Sequence, residues 1–395
     1  MLYRTNTKNG DDISQLGLGC MRFPRKGVKI DQEKTNELVA AAIESGVNYF
    51  DTGYIYPGSE EALGTALAAS GRRDEIFIAT KLPHFMCAKP EDFDRLFNTQ
   101  LKRLQTDRID YYLMHMLSNT GSWERLKRLG VEQWLDEKKA EGKIVNVGFS
   151  YHGGRADFLG LLDAYAWGFC MVQYNYFDEN NQAGRHGVRA AHEKGMPVFV
   201  MEPLRGGLLV DGLTAEAKRA FGSVNAERSP AEWALRWLLD QREVTMALSG
   251  MSDLKQLSEN SSVASDAEPG MLGDDERTAY KAVVEALNGT VRIPCTGCAY
   301  CMPCPMGVDI PACFSCYTGS YAFGLFSGLK QYVQLTGMTT PVQSDASKCA
   351  ACGKCEEHCP QGIMISKELV KVKRRMISFL VRPVMFIARK FMRIK

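Results

Sequence analysis

Long apolar runs are missing from this chain. Nowhere in its 395 residues do about 18 uninterrupted apolar residues occur, which excludes an ordinary transmembrane helix. The opening residues, MLYRTNTKNGDD, are polar and lack the apolar stretch of a secretory signal, so a cytoplasmic location is expected. Internal repeats and low-complexity tracts are absent ahead of the basic C-terminal end, which argues against a solenoid or array. Basic patches spread over the body are lacking as well. The net charge of +2 hides an asymmetry: residues 367–395 carry ten Lys/Arg against one Glu, and the remainder carries 38 cations against 45 anions. A mildly acidic body with one basic end does not suit nucleic-acid binding.

What is present is a folded-protein composition, 45% hydrophobic and 24% charged, enough to bury a large core. Up to about residue 265, short β-rich apolar runs alternate with amphipathic stretches. The expected strands are Gln15–Cys20, Val47–Asp51, Ile76–Lys81, Tyr111–His115, Val145–Ser150, Met171–Tyr174, Pro197–Glu202 and Val244–Ser249. Helices are expected at Asp31–Ser45, Ser59–Ser70, Pro90–Leu104 and Glu124–Ala140, with Asp31, Ser59 and Pro90 as start signals. Eight strands, each followed by a helix, make a closed (β/α)8 TIM barrel. A polar stretch, Ser261–Asp275, leads to one more helix near Glu276–Leu287. We therefore expect a barrel domain over 1–290, a small mainly helical domain over 291–366 and a basic amphipathic tail over 367–395.

Eight of the 13 cysteines fall into two runs in that second domain. The first is Cys295-x2-Cys298-x2-Cys301-x2-Cys304-Pro305, the second Cys349-x2-Cys352-x2-Cys355-x3-Cys359-Pro360. Thiolates at this spacing grip one face of an iron–sulfur cube, and the cysteine before proline ligates the other cluster. One 4Fe–4S cluster is thus expected on Cys295, Cys298, Cys301 and Cys359, and a second on Cys349, Cys352, Cys355 and Cys304. The first run has two residues rather than three before its last cysteine, which leaves the placing of Cys304 open. Cys-x2-Cys pairs also hold zinc, but two runs that each end in Cys-Pro are more typical of cubanes. Cys313 and Cys316 form one further pair, expected to pack rather than ligate.

In such a barrel, chemistry sits at the C-terminal ends of the strands. Asp51, nearby Tyr56, Lys81 and His115 fall at such ends, in NYFDTGYIYPGSEEALG, IFIATK and DYYLMH. These segments resemble the aldo-keto reductase superfamily, whose signature places Asp-Thr-x-x-x-Tyr after the second strand, Lys at the end of the third and His at the end of the fourth. The chemistry of the residues agrees. Tyr56 can act as general acid, Lys81 can lower its pKa, Asp51 can orient the lysine, and His115 can direct the carbonyl oxygen. Any one of them alone would be ordinary polar rim.

The resemblance also implies a nicotinamide coenzyme laid across the barrel mouth without a Rossmann domain. Ser150 and Gln173 would hold its carboxamide, with Tyr151 standing where many members have Asn. Pro203 and Leu204, in MEPLRG, match the pyrophosphate loop. Gly250, Ser252, Gln256, Glu259 and Asn260 resemble the adenosine-binding stretch. Many NADP-selective members carry Lys or Arg where this chain has Gln256, which leaves NADP and NAD both open. The phrases PCTGCAYCMPCP and CGKCEEHCP extend the resemblance, over about residues 1–366, to a subgroup that ends in a ferredoxin-type module.

The expected function is NAD(P)H-dependent reduction of a carbonyl, or oxidation of an alcohol, in a protein that also carries two 4Fe–4S clusters. An electron-transfer partner protein is then a natural expectation. The alternative is an electron-transfer or redox-sensing iron–sulfur protein whose barrel serves as a docking scaffold. A hydride carries two electrons whereas each cubane passes one, and the chain shows no flavin-binding signal to convert between them. In the tail, Lys371, Arg375, Arg382, Arg389 and Arg393 share one helical face among Met376, Phe379, Leu380, Phe386 and Ile387. That pattern suits contact with the inner membrane surface, although Pro383 would kink the helix.

Overall fold

A computed structural model describes residues 1–27, 29–288, 292–293, 295, 301–322, 324–338, 343–357, 359, 362–377 and 383. Eight parallel strands close into a barrel: β1 Leu16–Gly19, β2 Tyr49–Asp51, β3 Phe77–Leu82, β4 Ile109–Leu117, β5 Ile144–Tyr151, β6 Phe169–Gln173, β7 Val198–Met201 and β8 Met246–Ser249. Each pairs with its sequence neighbours, and β8 returns to β1 through Ala247, Leu248 and Ser249 against Leu16, Gly17 and Leu18. All eight match the expected runs to within a few residues.

The barrel is a packed core. Tyr49, Tyr111, Phe169 and Phe199 meet inside it with ring centroids 5.0 to 5.8 Å apart. A short antiparallel hairpin, Tyr3–Thr5 with Asp12–Ser14, closes the N-terminal end. There the Tyr111 hydroxyl donates to Asp11 Oδ2 at 2.6 Å. The hairpin was not among the expected elements, because each of its strands has only three residues.

Helices wrap the outside: α1 Gln32–Glu44, α2 Ser59–Ser70, α3 Glu91–Leu104, α4 Thr120–Arg128, α5 Val131–Ala140, α6 Arg155–Leu162, α7 Gly184–Glu193, α8 Ala215–Gly222, α9 Pro230–Leu239 and α10 Leu254–Asp266. The single helix expected over Glu124–Ala140 is two, broken at Gly130, whose φ of +84° a side chain would oppose. The stretch expected as a linker from Ser261 is helical to Asp266, since the α10 side chains Ser261, Val263 and Ala264 are buried. Helix α11, Asp274–Asn288, then packs Tyr280 against Phe221 of α8 and Trp233 of α9.

The C-terminal part is helical: α12 Ile310–Ala322, α13 Leu325–Val333 running into a π turn at Gln334–Met338, and α14 Ile365–Met376. Its own core contains Val308, Ile310, Phe314, Tyr332, Leu369, Val372 and Met376, with Cys295, Cys301, Cys304, Cys349, Cys355 and Cys359 packed at its edge. Cys313 and Cys316 are fully buried inside it. Residues 367–376, expected to begin a membrane-facing tail, lie within α14 instead. The helix buries Leu369, Val372 and Met376, and Arg375 donates to Ser320 Oγ at 2.8 Å and stacks over Tyr321. Cys298, Phe379, Leu380, Arg382, Phe386, Ile387, Arg389 and Arg393 lie outside the described residues. Among the described residues no helix is long and apolar enough to cross a membrane.

Candidate functional site

Asp51 ends β2, Lys81 lies one residue from the end of β3, and His115 sits near the end of β4. All three are buried, and Lys81 Nζ forms an ion pair with Asp51 Oδ1 and donates to the Thr52 carbonyl at 2.5 Å. Tyr56 follows β2 in a turn closed by its N–H on the Gly53 carbonyl at 2.9 Å. A Cβ on Gly53 would stand 3.2 Å from the Tyr56 ring, so glycine lets the ring fold inward. The Lys81 ammonium lies 4.9 Å from the ring centroid, and the His115 ring meets Tyr56 edge-on at 5.7 Å. The four residues singled out in the sequence therefore form one cluster.

Helix α2 is anchored beside the cluster by buried polar contacts. Ser59 donates to the Cys20 carbonyl at 3.0 Å, and Glu60 accepts from Thr80 at 2.6 Å and from Gln100 at 3.0 Å. Arg103 pairs with Glu60 from α3 at 3.1 Å. The Asp51–Thr52–Tyr56 turn is thus fixed at both ends.

Burial governs the protonation states. It pushes the Tyr56 phenol up, with Lys81 pulling the opposite way and losing, so the tyrosine keeps its proton at neutral pH. Lys81 thus lowers the phenol as the sequence suggests, but burial outweighs it. Burial likewise raises Asp51 against the pull of Lys81. For Lys81 burial opposes the charge, but Asp51 and Tyr56 outweigh it and the net shift is upward. His115 is held well below the usual imidazole range, first by burial and then by Lys81. Its Nδ1 and Asp51 Oδ2 are buried without a hydrogen-bond partner among the described residues.

Two more buried imidazoles flank His115. Burial, then Arg125, pushes His84 down to about 3, and burial lowers His152. Unfolded chains take up a proton on such rings near pH 6.5. Because the folded rings stay neutral, the unfolded state binds more protons below that pH, and stability falls as pH drops from about 6.5 toward 3. His84→Gln should reduce the proton uptake on unfolding by about one between pH 4 and 6. Melting curves followed by tryptophan fluorescence across that range measure it.

The residues expected at the coenzyme sit on the same face. The Ser150 hydroxyl, near the end of β5, accepts from the Met116 N–H at 2.9 Å and keeps its own proton for a ligand. Gln173 ends β6. Its Nε2 donates to Asp178 Oδ2 at 3.1 Å and its Oε1 accepts from Gln182 at 2.7 Å, leaving one N–H and one lone pair spare. Pro203 and Leu204 lie in the loop after β7. Gly250 and Ser252 follow β8, and Gln256, which accepts from Ser252 N–H at 3.0 Å, opens α10. Asn260 ties α10 to Ser249 at 3.2 Å, whereas Glu259 is taken by Ser229 at the start of α9. Tyr151 turns its hydroxyl to the Gly154 carbonyl.

Sequence reasoning missed Arg22. Its side chain passes Gly250, where a Cβ would stand 2.9 Å from Cδ, and its Nη2 reaches 3.1 Å from the Cβ position of Gly206. It thus spans the loops after β7 and β8, exposed and without an ion pair among the described residues. Loops at this position in such barrels commonly hold phosphate. A single arginine in GLGCMRFP carries no local signal of that placing.

A family model described as the aldo/keto reductase family matches residues 15–268. The chain belongs to the aldo/keto reductase family. A second model, a 4Fe–4S dicluster domain, matches residues 294–364, so this family member carries a ferredoxin-type domain behind its barrel. The uncharacterized oxidoreductase YrpG of Bacillus subtilis (strain 168) is 26% identical over 307 residues, 65% of this chain and 89% of that protein. The aldo-keto reductase yakc of Schizosaccharomyces pombe, named with NADP(+), is 23% identical and spans 65% of this chain and 85% of its own length. Among solved structures, an aldo-keto reductase from Bacillus halodurans in its holo form superposes with a TM-score of 0.59 at 26% identity, covering 72% of this chain and 97% of that one. The chain is an aldo-keto reductase-type oxidoreductase.

Proposed function

We propose that the protein reduces a carbonyl, or oxidises the matching alcohol, with a nicotinamide coenzyme at the barrel mouth. The observation that carries this reading is the buried Lys81–Asp51 pair beneath Tyr56 and His115. When bound, the coenzyme supplies or accepts the hydride. Tyr56 then donates its phenolic proton to the substrate oxygen, and Lys81 steadies the phenolate left behind. Asp51 holds the ammonium in place. A neutral imidazole carries one N–H donor, which lets His115 hydrogen-bond the carbonyl oxygen and fix its direction.

Ser150 and Gln173 offer the spare donors and acceptor that a carboxamide needs. Pro203 and Leu204 would border the pyrophosphate, and Gly250, Ser252, Gln256 and Asn260 would border the adenosine. Glu259, one of whose carboxylate oxygens accepts from Ser229, would join them at the adenosine. Arg22, beside Gly206 and Gly250, supplies a cation for the pyrophosphate that NADP and NAD share.

For the C-terminal domain we propose two 4Fe–4S clusters, on Cys295, Cys298, Cys301 and Cys359 and on Cys349, Cys352, Cys355 and Cys304. The support is that Cys295, Cys301, Cys304, Cys349, Cys355 and Cys359 of both runs gather at the edge of one small core. Such clusters accept or deliver single electrons when present.

The test uses anaerobically purified protein with its iron and sulfide confirmed. NADPH and NADH are titrated, a panel of aldehydes and ketones is offered, and the clusters are followed by EPR and visible absorption. Coenzyme binding with carbonyl-dependent oxidation of NADPH is expected. A loaded protein that binds neither coenzyme would overturn the reading. Bleaching of the clusters by NADPH would show that the two domains exchange electrons, and unchanged spectra would show that they do not.

A further inference from the structure

The C-terminal domain touches the barrel at the wall of the hydride-transfer site. Helix α13 and the π turn after it present Gln331 and Gln334, three residues apart and so on one side of the helix. Arg205 Nη2 donates to Gln331 Oε1 at 3.1 Å. Arg205 Nε donates to Asp178 Oδ2 at 2.7 Å, and both partners are almost wholly buried. The same Asp178 oxygen accepts from Gln173 Nε2 at 3.1 Å. Gln173 Oε1 accepts from Gln182 Nε2 at 2.7 Å, and Gln182 Oε1 faces His152 Nδ1 at 3.2 Å. His152 Nε2 lies 3.4 Å from Gln334 Nε2.

The chain of contacts therefore leaves the C-terminal domain at one glutamine, passes through Gln173 and returns at the other. Donors and acceptors agree along it. Gln334 gives an N–H to His152, whose Nδ1 proton goes to Gln182, whose amide N–H goes to Gln173, whose own N–H goes to Asp178. Arg205 closes the far side. This assignment fixes His152 as the neutral Nδ1–H tautomer, consistent with its lowered pKa.

Two further features show that the contact is built in. Gln182 and Arg205 hold left-handed backbone, with φ of +54° and +48°, which non-glycine residues adopt only where the surroundings dictate it. Gly319 of α12 leaves room for the guanidinium: a Cβ there would stand 3.3 Å from Arg205 Nη2. Asn181, beside Gln182, adds a 3.0 Å bond to Ser315 of α12.

We propose that the C-terminal domain forms part of the coenzyme site: Gln331 and Gln334 are positioning residues that fix the Gln173 amide through Arg205–Asp178 and His152–Gln182. The inference rests on the reading that a nicotinamide coenzyme lies against Gln173. It gives the domain a role in hydride transfer that requires no electron to leave the clusters.

The experiment measures the Kd of NADPH and NADH by fluorescence quenching on full-length, cluster-loaded protein. Gln331→Ala/Gln334→Ala is compared with wild type and with Lys330→Ala, whose side chain is exposed. Iron content and melting temperature establish that each variant is folded. Two hydrogen bonds released at this site should weaken the better-bound coenzyme about tenfold. Lys330→Ala should match wild type, and Gln331→Asn should recover less affinity than the native glutamine. A folded double variant with wild-type Kd would overturn the positioning role. Failure of wild type itself to bind either coenzyme would instead overturn the proposed function, and this inference with it.

Discussion

Tyr56→Phe should lower carbonyl reduction about 10²- to 10⁴-fold while coenzyme affinity stays at its wild-type value. The substitution removes one oxygen and keeps the ring, so the edge-on contact with His115 and the packing over Lys81 survive. What is lost is the proton delivered to the substrate oxygen. Because burial holds the phenol above its ordinary range, the wild-type tyrosine stays protonated through neutral pH. The depressed pKa of His115 also keeps its ring neutral there. The reduction rate of wild type should therefore be flat from about pH 7 to 9, falling only as the phenol ionises. Steady-state kinetics with NADPH consumption measure both effects. A scaffold function predicts the reverse pattern: transfer of electrons from a chemical reductant through the clusters to an acceptor dye would matter, and Tyr56→Phe would change nothing. Retained carbonyl turnover in Tyr56→Phe would remove tyrosine from the proposed acid role.

The parts of this molecule that were legible in the sequence are those written locally. Alternating apolar runs placed the eight strands, and Asp51, Lys81 and His115 were recognisable because β2, β3 and β4 end at or just beyond them. Long-range contacts were not legible. Gln331 and Gln334 look like solvated helix residues until α13 is laid against the β6 and β7 loops. Arg205 and Asp178 stand 27 positions apart, and nothing near either marks them as a buried pair. The break at Gly130 escaped notice because the flanking segments share one amphipathic pattern. Charge misled the reading of residues 367–376, where basic side chains dominate the composition. In α14 the apolar residues at 369, 372 and 376 decide the packing, and arginine stems lie along the surface of the domain.

Lys81→Met is the substitution expected to damage the fold as well as the chemistry. The Lys81 side chain is 2% exposed and that of Asp51 is 4% exposed, so neither charge has water to fall back on. Removing the ammonium leaves the Asp51 carboxylate unpaired and the Thr52 carbonyl without its donor. Breaking a buried pair in this one-sided way costs about 3–5 kcal/mol. The loss should depend on pH, and its sign follows from Asp51. Burial already raises that carboxyl, and Lys81 is the partner that opposes the rise. Without it the folded-state pKa climbs further above the unfolded value near 3.9. The folded variant then binds a proton that the unfolded chain has lost, so its stability falls as pH rises through that window. The deficit relative to wild type should accordingly be smaller at pH 5 than at pH 8. All five tryptophans lie between 123 and 237 in the barrel, so denaturant unfolding followed by their fluorescence reports the right domain. Adding Asp51→Asn to Lys81→Met should recover part of the stability, because the stranded charge is gone, and none of the turnover. Equal deficits at both pH values would mean that the carboxylate finds another partner. Burial and Lys81 would then not be what balances the Asp51 charge, even though the catalytic assignment of Tyr56 could stand.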